Sequence, residues 1–324
     1  MLSRVRIDRL RRDDAAPMTI ALRDWQVVRW LSRVPSPYGL DDALDFIRAA
    51  RPDEMAIRID DRFVGMVRAS RDFGIWLAPV HQRRGIAQRA AVLALSRVFA
   101  QGAAQVVARH IEGNHRSAAL LGRLGFRDTG PLLIPSRAEG RDLPGRRLVL
   151  SRATFGARHG IRLETPRLTL DGLRAADLAE LRRIATLPQV ARMLFLFHDG
   201  MSDDDFAAIF PDEALVPPFR LVARRDGRVC GSIGVGAGTS PPIWYFLDPT
   251  VSGAGLGSEM LAAFLAEVRL RYAPAVIEAQ VFADNPASLR MLEKAGFITA
   301  GFEMLTSRGR AAPAPGMLLR WTAG

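Results

Sequence analysis

Residues 75–126 read IWLAPVHQRRGIAQRAAVLALSRVFAQGAAQVVARHIEGNHRSAALLGRLGF, and the order of patterns in this stretch decides the fold. Ile75-Trp76-Leu77 alternates as a strand and stops at Pro79. The loop Gln82-Arg83-Arg84-Gly85-Ile86-Ala87 then leads into a helix of about fifteen residues. Val106-Val107-Ala108 is a further strand, and Asn114 with Ser117 opens a second helix that stops at Gly125-Phe126. A loop that runs into a helix leaves the first backbone N–H groups without partners, and the helix dipole adds positive potential there. Small residues at Gly85 and Ala87 let a ligand approach those groups. The expectation is a cradle for a diphosphate.

The same text recurs in the second half of the chain. Pro79 and Gly85 find counterparts in Pro249 and Gly255, while Asn114, Phe126 and Gly145 find theirs in Asn285, Phe297 and Gly316. The opening repeats too: Val5-Arg6-Ile7-Asp8 with Asp14 echoes Leu168-Thr169-Leu170-Asp171 with Asp177. So long a period excludes a solenoid and indicates a duplicated domain. The expected units are 1–152 and 161–324, with 152–160 as linker. A length of 324 residues suits two domains.

Composition narrows the class. Apolar content of 48% and charged content of 24% are those of ordinary globular protein. No eighteen-residue apolar run suggests a membrane span, and MLSRVRIDRLRRDD lacks the apolar core of a secretory signal. The single cysteine, Cys230, excludes an internal disulfide and a cysteine-rich metal site. A cytoplasmic setting is expected. The net charge of +11 is carried by scattered arginines, Lys294 being the only lysine. Without a basic run or an aromatic platform, an arginine-rich solvated surface is the leading account, attraction of a polyanionic small molecule comes next, and nucleic-acid binding last.

In the first half, a strand is expected over 5–10, helices over 21–31 and 41–50, and strands over 55–59 and 62–69 turning at Asp60-Asp61. Residues 127–143 lack a clear pattern, and 147–151 close the unit as a strand. In the second half, helices are expected over 176–185, 202–209 and 257–269. Strands are expected over 219–223, 229–235, 243–247, 276–282 and 317–321, with Asp226-Gly227 as a turn. The Gly231-x-x-Gly234-x-Gly236-x-Gly238 run sits inside a strand with no helix after it, so it is not a dinucleotide fingerprint. A bulged or splayed strand accounts for it better.

Taken together, Gln82, Gly85 and Ala87 resemble the diphosphate loop of the GCN5-related N-acetyltransferases, Gln/Arg-x-x-Gly-x-Gly/Ala. The Asn-x-x-Ser helix ending in Gly-Phe resembles their RimJ/RimL-like branch. The resemblance implies an α/β (α+β) fold with two tandem acyl-CoA N-acyltransferase domains, each a mostly antiparallel sheet splayed at its centre and flanked by helices. It implies acetyl-CoA as donor, and a small amine or protein N-terminus as acceptor. Tandem domains of this kind could make the protein monomeric. A CoA-binding regulatory or structural protein, silent at one or both sites, is the alternative.

The resemblance assigns the cofactor to residues 82–87, with Arg83, Arg84 and Ile86 between the matching positions, and to Ser252-Gly253-Ala254-Gly255-Leu256-Gly257. Backbone N–H groups around Trp76-Leu77 and Phe246-Leu247 are expected to polarise the thioester. Asn114 and Asn285 stand where the family binds the pantetheine arm, and helix capping is an equally good reading of both. The family's tyrosine acid is replaced by Leu121 and Leu292. Ser117 and Ser288 fit the branch's alternative acid, and each is also an ordinary first-turn serine. Asp72 fits the branch's base, with Pro242 in its place in the second copy. His81 is expected to face solvent or a CoA phosphate. On these grounds the first copy is the better candidate for catalysis.

Overall fold

Strand β1 (Val5–Arg9) begins a computed structural model that describes residues 5–210 and 217–323. The chain divides into the units Met1–His159 and Gly160–Gly324. In the first, β1 is followed by α1 (Ala15–Arg23), α2 (Trp25–Val28), α3 (Leu40–Ala49), β2 (Glu54–Ile59), β3 (Arg62–Ala69) and β4 (Asp72–Leu77). Then come α4 (Ile86–Ala100), β5 (Gln105–Ile111), α5 (His115–Leu124), β6 (Arg127–Ser136), β7 (Arg141–Ser151) and α6 (Arg152–His159). The sheet order is β1-β2-β3-β4-β5-β7-β6, antiparallel except between β4 and β5. That parallel pairing holds only at Asp72↔Val107 and Phe73↔Ala108. Beyond Phe73 the two strands part.

The second unit runs β8 (Leu163–Glu164), β9 (Thr169–Asp171), α7 (Leu178–Ala185), α8 (Pro188–Ala191), α9 (Asp203–Ala208), β10 (Phe219–Arg225), β11 (Arg228–Val235) and β12 (Ile243–Leu247). It continues with α10 (Leu256–Tyr272), β13 (Val276–Phe282), α11 (Pro286–Lys294), β14 (Ile298–Leu305) and β15 (Ala314–Thr322). Here the splay is complete. One sheet is β12-β11-β10-β9-β8 and the other is β13-β15-β14, linked by the Pro242↔Glu278 bridge. The expected fold, mostly antiparallel and flanked by helices, is the one found.

The repeated aspartates at the start of each unit acquire a physical reason. Arg58, 3% exposed, donates from Nε to Asp8 and through both Nη atoms to Asp14, at 2.7–2.8 Å. Arg224 does the same with Asp171 and Asp177, at 2.6–2.8 Å. A buried guanidinium needs its charge and donors matched, and two carboxylates on the neighbouring strand and turn do so. The hairpins beside them turn as expected: Asp60 and Asp61 at φ 49° and 66°, Asp226 and Gly227 at 51° and 77°. A right-twisted two-residue turn requires such positive angles at both positions.

Several expectations need correction. The helix expected over 21–31 begins at Ala15 and breaks at Asp24. The extended Asp24 accepts the Gln26 N–H at 2.8 Å and caps α2, so one helix becomes two. Residues 127–143, read as unpatterned, contain β6 and the start of β7. Pro131 and Pro135 are tolerated because β6 is the edge strand, and a bulge sits between Asp128 and Gly130. The presumed linker 152–160 is mostly α6, whose Phe155 is fully buried with its ring 5.0 Å from Phe99 of α4. Helix α4 is buried nearly all round, packed against β1, β3 and β4 and against α5, with Phe155 of α6 added at its C-terminal end. The strand β14 had no counterpart in the sequence reading.

Candidate active sites

Each splay opens a cleft between the parting strands. The first, about 1070 Å³, is walled by β4 from Phe73 to Leu77, by β5 from Ala108 to Ile111, and by the first turn of α5. One mouth reaches the loop before α4, and the other reaches residues 26–32. The second, about 890 Å³, is bounded in the same way by β12, β13, the loop before α10, α11, and residues 189–190 and 193–197. Where a strand loses its neighbour, alternate backbone N–H groups lack a sheet partner. Trp76-Leu77 and Phe246-Leu247 lie on these edges, and all four line their clefts.

The two loops share one backbone shape built from different residues. Gly85 and Gly255 cap their helices in the left-handed region, at φ 74° and 77°. Two residues earlier the loop again requires a positive φ, supplied by Gly253 at 85° and by Arg83 at 59°. A non-glycine residue there carries roughly 1–2 kcal/mol of strain. Gln82 lines the cleft, but its amide already has protein partners. Its amide donates to the Leu77 carbonyl at 3.0 Å and accepts from Arg116 at 2.6 Å, bracketing β4 to α5. Arg83 and Arg84 are exposed, Ile86 is buried and Ala87 half-buried.

In the second loop, Ser252 bonds the Asp248 carbonyl at 3.4 Å. Leu256 is buried, and a side chain on Gly257 would meet the Met291 sulfur at 2.9 Å, so α10 and α11 pack closely there. The sequence reading missed Arg167. It donates to the Ala254 carbonyl at 2.7 Å and pairs with Glu259 at 2.7 Å, placing a guanidinium beside a loop that has none of its own. Its distance along the chain hid it.

Asn114 and Asn285 are helix caps, each accepting the amide of Ser117 or Ser288 at 3.1 Å. Both asparagines and both serines also line the clefts, leaving each asparagine's amide NH2 for a ligand. The Ser288 hydroxyl lies 2.7 Å from the phenol oxygen of Tyr245, a second residue the sequence reading passed over. Burial drives the Tyr245 phenol up to about 12, and its bond with Ser288 only partly opposes that shift. Ile75 stands at the equivalent place in the first strand, so the signal was a hydroxyl where the repeat has an aliphatic residue.

Asp72 is not brought into the cleft. It pairs at 2.7 Å with Arg109, which lines the cleft instead. His81 is not a lining residue either; its Nδ1 is buried without a partner, and burial followed by Arg84 lowers its basicity. His110 does line the first cleft, with Nδ1 3.1 Å from the Ile111 carbonyl. Because a carbonyl only accepts, that contact calls for a proton on Nδ1, and in the neutral imidazole Nε2 is then the acceptor. Among the described residues, no carboxylate lines either cleft.

Comparison with known proteins follows this geometry. The model for the acetyltransferase (GNAT) domain matches residues 4–127 and 167–298. Among solved structures, Mycobacterium smegmatis RimJ in complex with CoA-disulfide is 24% identical, covering 48% of this chain and 82% of its own, with a TM-score of 0.42. A Bacillus anthracis GNAT-family acetyltransferase is 14% identical over 50% and 98% of the chains, at 0.44. Vibrio cholerae spermidine N-acetyltransferase, in complex with CoA and spermine, is 16% identical over 49% and 96%, at 0.43. No curated protein matches the chain significantly. Among the described residues, no helix is long and apolar enough to cross a membrane. With the family's domain matched in both halves, the chain belongs to the GNAT acetyltransferases, for which acetyl-CoA is the acyl donor.

Proposed function

We propose that each unit is an N-acetyltransferase site at which a primary amine, of a small molecule or a protein N-terminus, attacks the thioester of acetyl-CoA directly. The observation that carries the reading is the twice-built cleft, running from a left-handed glycine loop at a helix start to a splayed strand edge. The residues present fit the donor: both loops offer unpaired N–H groups, and the lining is cationic among the described residues. Bound acetyl-CoA supplies an acetyl group already activated as a thioester.

The chain supplies position and charge. Backbone N–H groups of 83–87 and 253–257 hold the diphosphate, and the side-chain amides of Asn114 and Asn285 face the arm that follows. Edge N–H groups of β4 and β12 are placed to stabilise the oxygen that gains charge in the transition state. The Ser117 hydroxyl, and in the second cleft the Ser288–Tyr245 pair, donate a proton or hydrogen bond to the departing sulfur. In the first cleft Nε2 of His110 takes the amine's proton. Asp72 holds Arg109 and is not the base. The second cleft has neither imidazole nor carboxylate among its described lining residues, so the amine there enters already neutral.

Titration calorimetry of the full chain with CoA, paired with thiol release from acetyl-CoA in the presence of amines, tests the reading. The expected stoichiometry is near two, with amine-dependent thiol release. Two bound CoA molecules and no release with any amine would leave a CoA-binding protein without turnover.

A further inference from the structure

Among the described residues, the second cleft holds a buried cation with nothing anionic against it. Arg220 on β10 is 8% exposed and lines the cleft. Among the described residues its contacts are rings: Trp244 at 5.0 Å, Phe210 at 5.4 Å and Phe197 at 5.9 Å. Burial pulls its basicity down to about 10, which leaves it charged at neutral pH. The backbone is arranged to admit it. Arg220 is opposite Gly234, which is opposite Trp244, and a Cβ on Gly234 would lie 2.7 Å from the Arg220 Cγ. The glycine therefore lets the side chain cross β11 to reach the ring on β12.

The first unit carries the opposite sign at this one position, although its cleft lining is cationic as well. Counting back from the triad arginines, Glu54 occupies the place of Arg220, and Arg68 stands opposite it where the second unit has Gly234. Arg68 feels the like charge of Arg33 but also the opposite charges of Asp72, Glu54 and Asp53, whereas Arg220 feels none of either sign from a described residue. Among the described residues, the other charged groups lining the second cleft, Arg290 and Lys294, are also cations. A polyamine there would meet uncompensated like charge, whereas an anion would be matched.

Resting on the reading of this cleft as an acetyl-transfer site, we propose that it takes an acceptor amine that also carries an anionic group, a carboxylate or a phosphate, seated on Arg220 above Trp244. The CoA phosphates are not that anion. Trp244 lies three residues upstream of Leu247, about 10 Å along the strand and away from the loop that receives the diphosphate. Met193, Phe195 and Phe197 add an apolar wall, so an apolar amino acid matches the lining better than a small polar one.

The test uses the full chain carrying Gly85→Glu, so that turnover reports the second cleft. L-phenylalanine is compared with L-phenylalaninamide, O-phosphoethanolamine with ethanolamine, and both pairs with spermidine. The two pairs separate a carboxylate from a phosphate. In at least one pair the anionic member should have a kcat/KM about 30- to 1000-fold higher. Arg220→Met should erase that preference, Arg220→Lys should keep part of it, and the KM for acetyl-CoA should be unchanged. Should Arg220→Met fail to fold by circular dichroism, Arg220→Gln replaces it. Equal use of the neutral members, best use of spermidine, or a preference that survives both charge-removing variants would overturn the inference. If no amine is acetylated, calorimetry with the same probes in the presence of CoA decides. Binding of an anionic member that Arg220→Met abolishes would sustain the inference while the proposed reaction fails, and no binding would end both.

Discussion

The two clefts have the same walls and opposite strengths. The first has an imidazole on its second wall and a lone serine at the helix start, while the second has a hydroxyl pair and no base among its described lining residues. The first loop carries two exposed arginines, one of them strained, and the second carries glycines and borrows Arg167 from a distant segment. Duplication preserved the features that any copy needs, which are the buried arginine triad, the left-handed glycine before the helix, and the capped asparagine helix. It left proton handling and acceptor recognition free to diverge. Equivalence of fold is therefore no guide to equivalence of rate.

The largest expected effect tests what the copies share. Arg58→Met strands the buried Asp14 and unpairs the part-exposed Asp8, Arg224→Met strands the buried Asp171 and Asp177, and each should destabilise its own unit by about 3–5 kcal/mol in denaturant unfolding, the second more than the first. In the second unit the loss should also change the acid limb. Burial by itself would raise the Asp177 carboxyl, but bonds from Arg224 and the Arg174 amide outweigh it and hold the group below its ordinary value. Its contribution is thus present above the ordinary carboxyl range and lost as pH falls through the depressed value. Arg224→Met should therefore destabilise most near neutral pH and flatten the acid limb, its difference from the wild type shrinking as pH falls. An unchanged limb would show that Asp177 is held some other way.

Next in size, Gly85→Glu and Gly255→Glu place negative charge where each diphosphate should lie. Each should lower CoA affinity at its own site by at least about 100-fold, taking the calorimetric stoichiometry from two to one. Loss of both sites from one substitution would mean that the clefts are not independent.

Proton handling should then separate the copies. With the first site silenced, Tyr245→Phe should lower kcat by about 10- to 100-fold with little change in the KM for acetyl-CoA. Since Tyr245 stays protonated up to about 12, it should produce no basic limb in the working range, and the second-site rate should rise with pH as the acceptor amine becomes neutral. A wild-type rate in Tyr245→Phe would return the pair to a packing role. In the first copy, Ser117→Ala should lower kcat by about 10-fold or more.

Two smaller effects refine the loops and the first cleft. Arg167→Ala should weaken CoA at the second site by only a few-fold, about 1 kcal/mol, because Glu259 already offsets that charge. Asp72→Asn breaks a half-exposed ion pair and should change first-site kcat by less than about 3-fold. A drop of 100-fold there, with loss of the acidic limb, would reinstate Asp72 as the base in place of His110.

The sequence by itself determined the duplication, the strand-loop-helix core of each copy, both loop glycines, both asparagine-led helices and the family. All of these are written locally, in hydrophobic period, turn residues and spacing, where neighbouring residues supply most of the physical constraint. The split of the first helical segment at Asp24 was local too, and was missed because an aspartate inside an apolar pattern reads as a tolerated polar residue until its cap is seen. Only the tertiary structure decided the rest. Pro131 and Pro135 lie in a strand because that strand is an edge, and residues 152–159 form a helix because Phe155 finds Phe99. Gln82 is shared with Arg116, and Asp72 pairs with Arg109 outside the cleft. Arg167 reaches Ala254, Tyr245 meets Ser288, and Arg220 is left without a carboxylate among the described residues for reasons that no spacing records. Whether a polar group serves a ligand or a neighbour depends on which other groups the fold brings within about 3 Å, and those come from other segments.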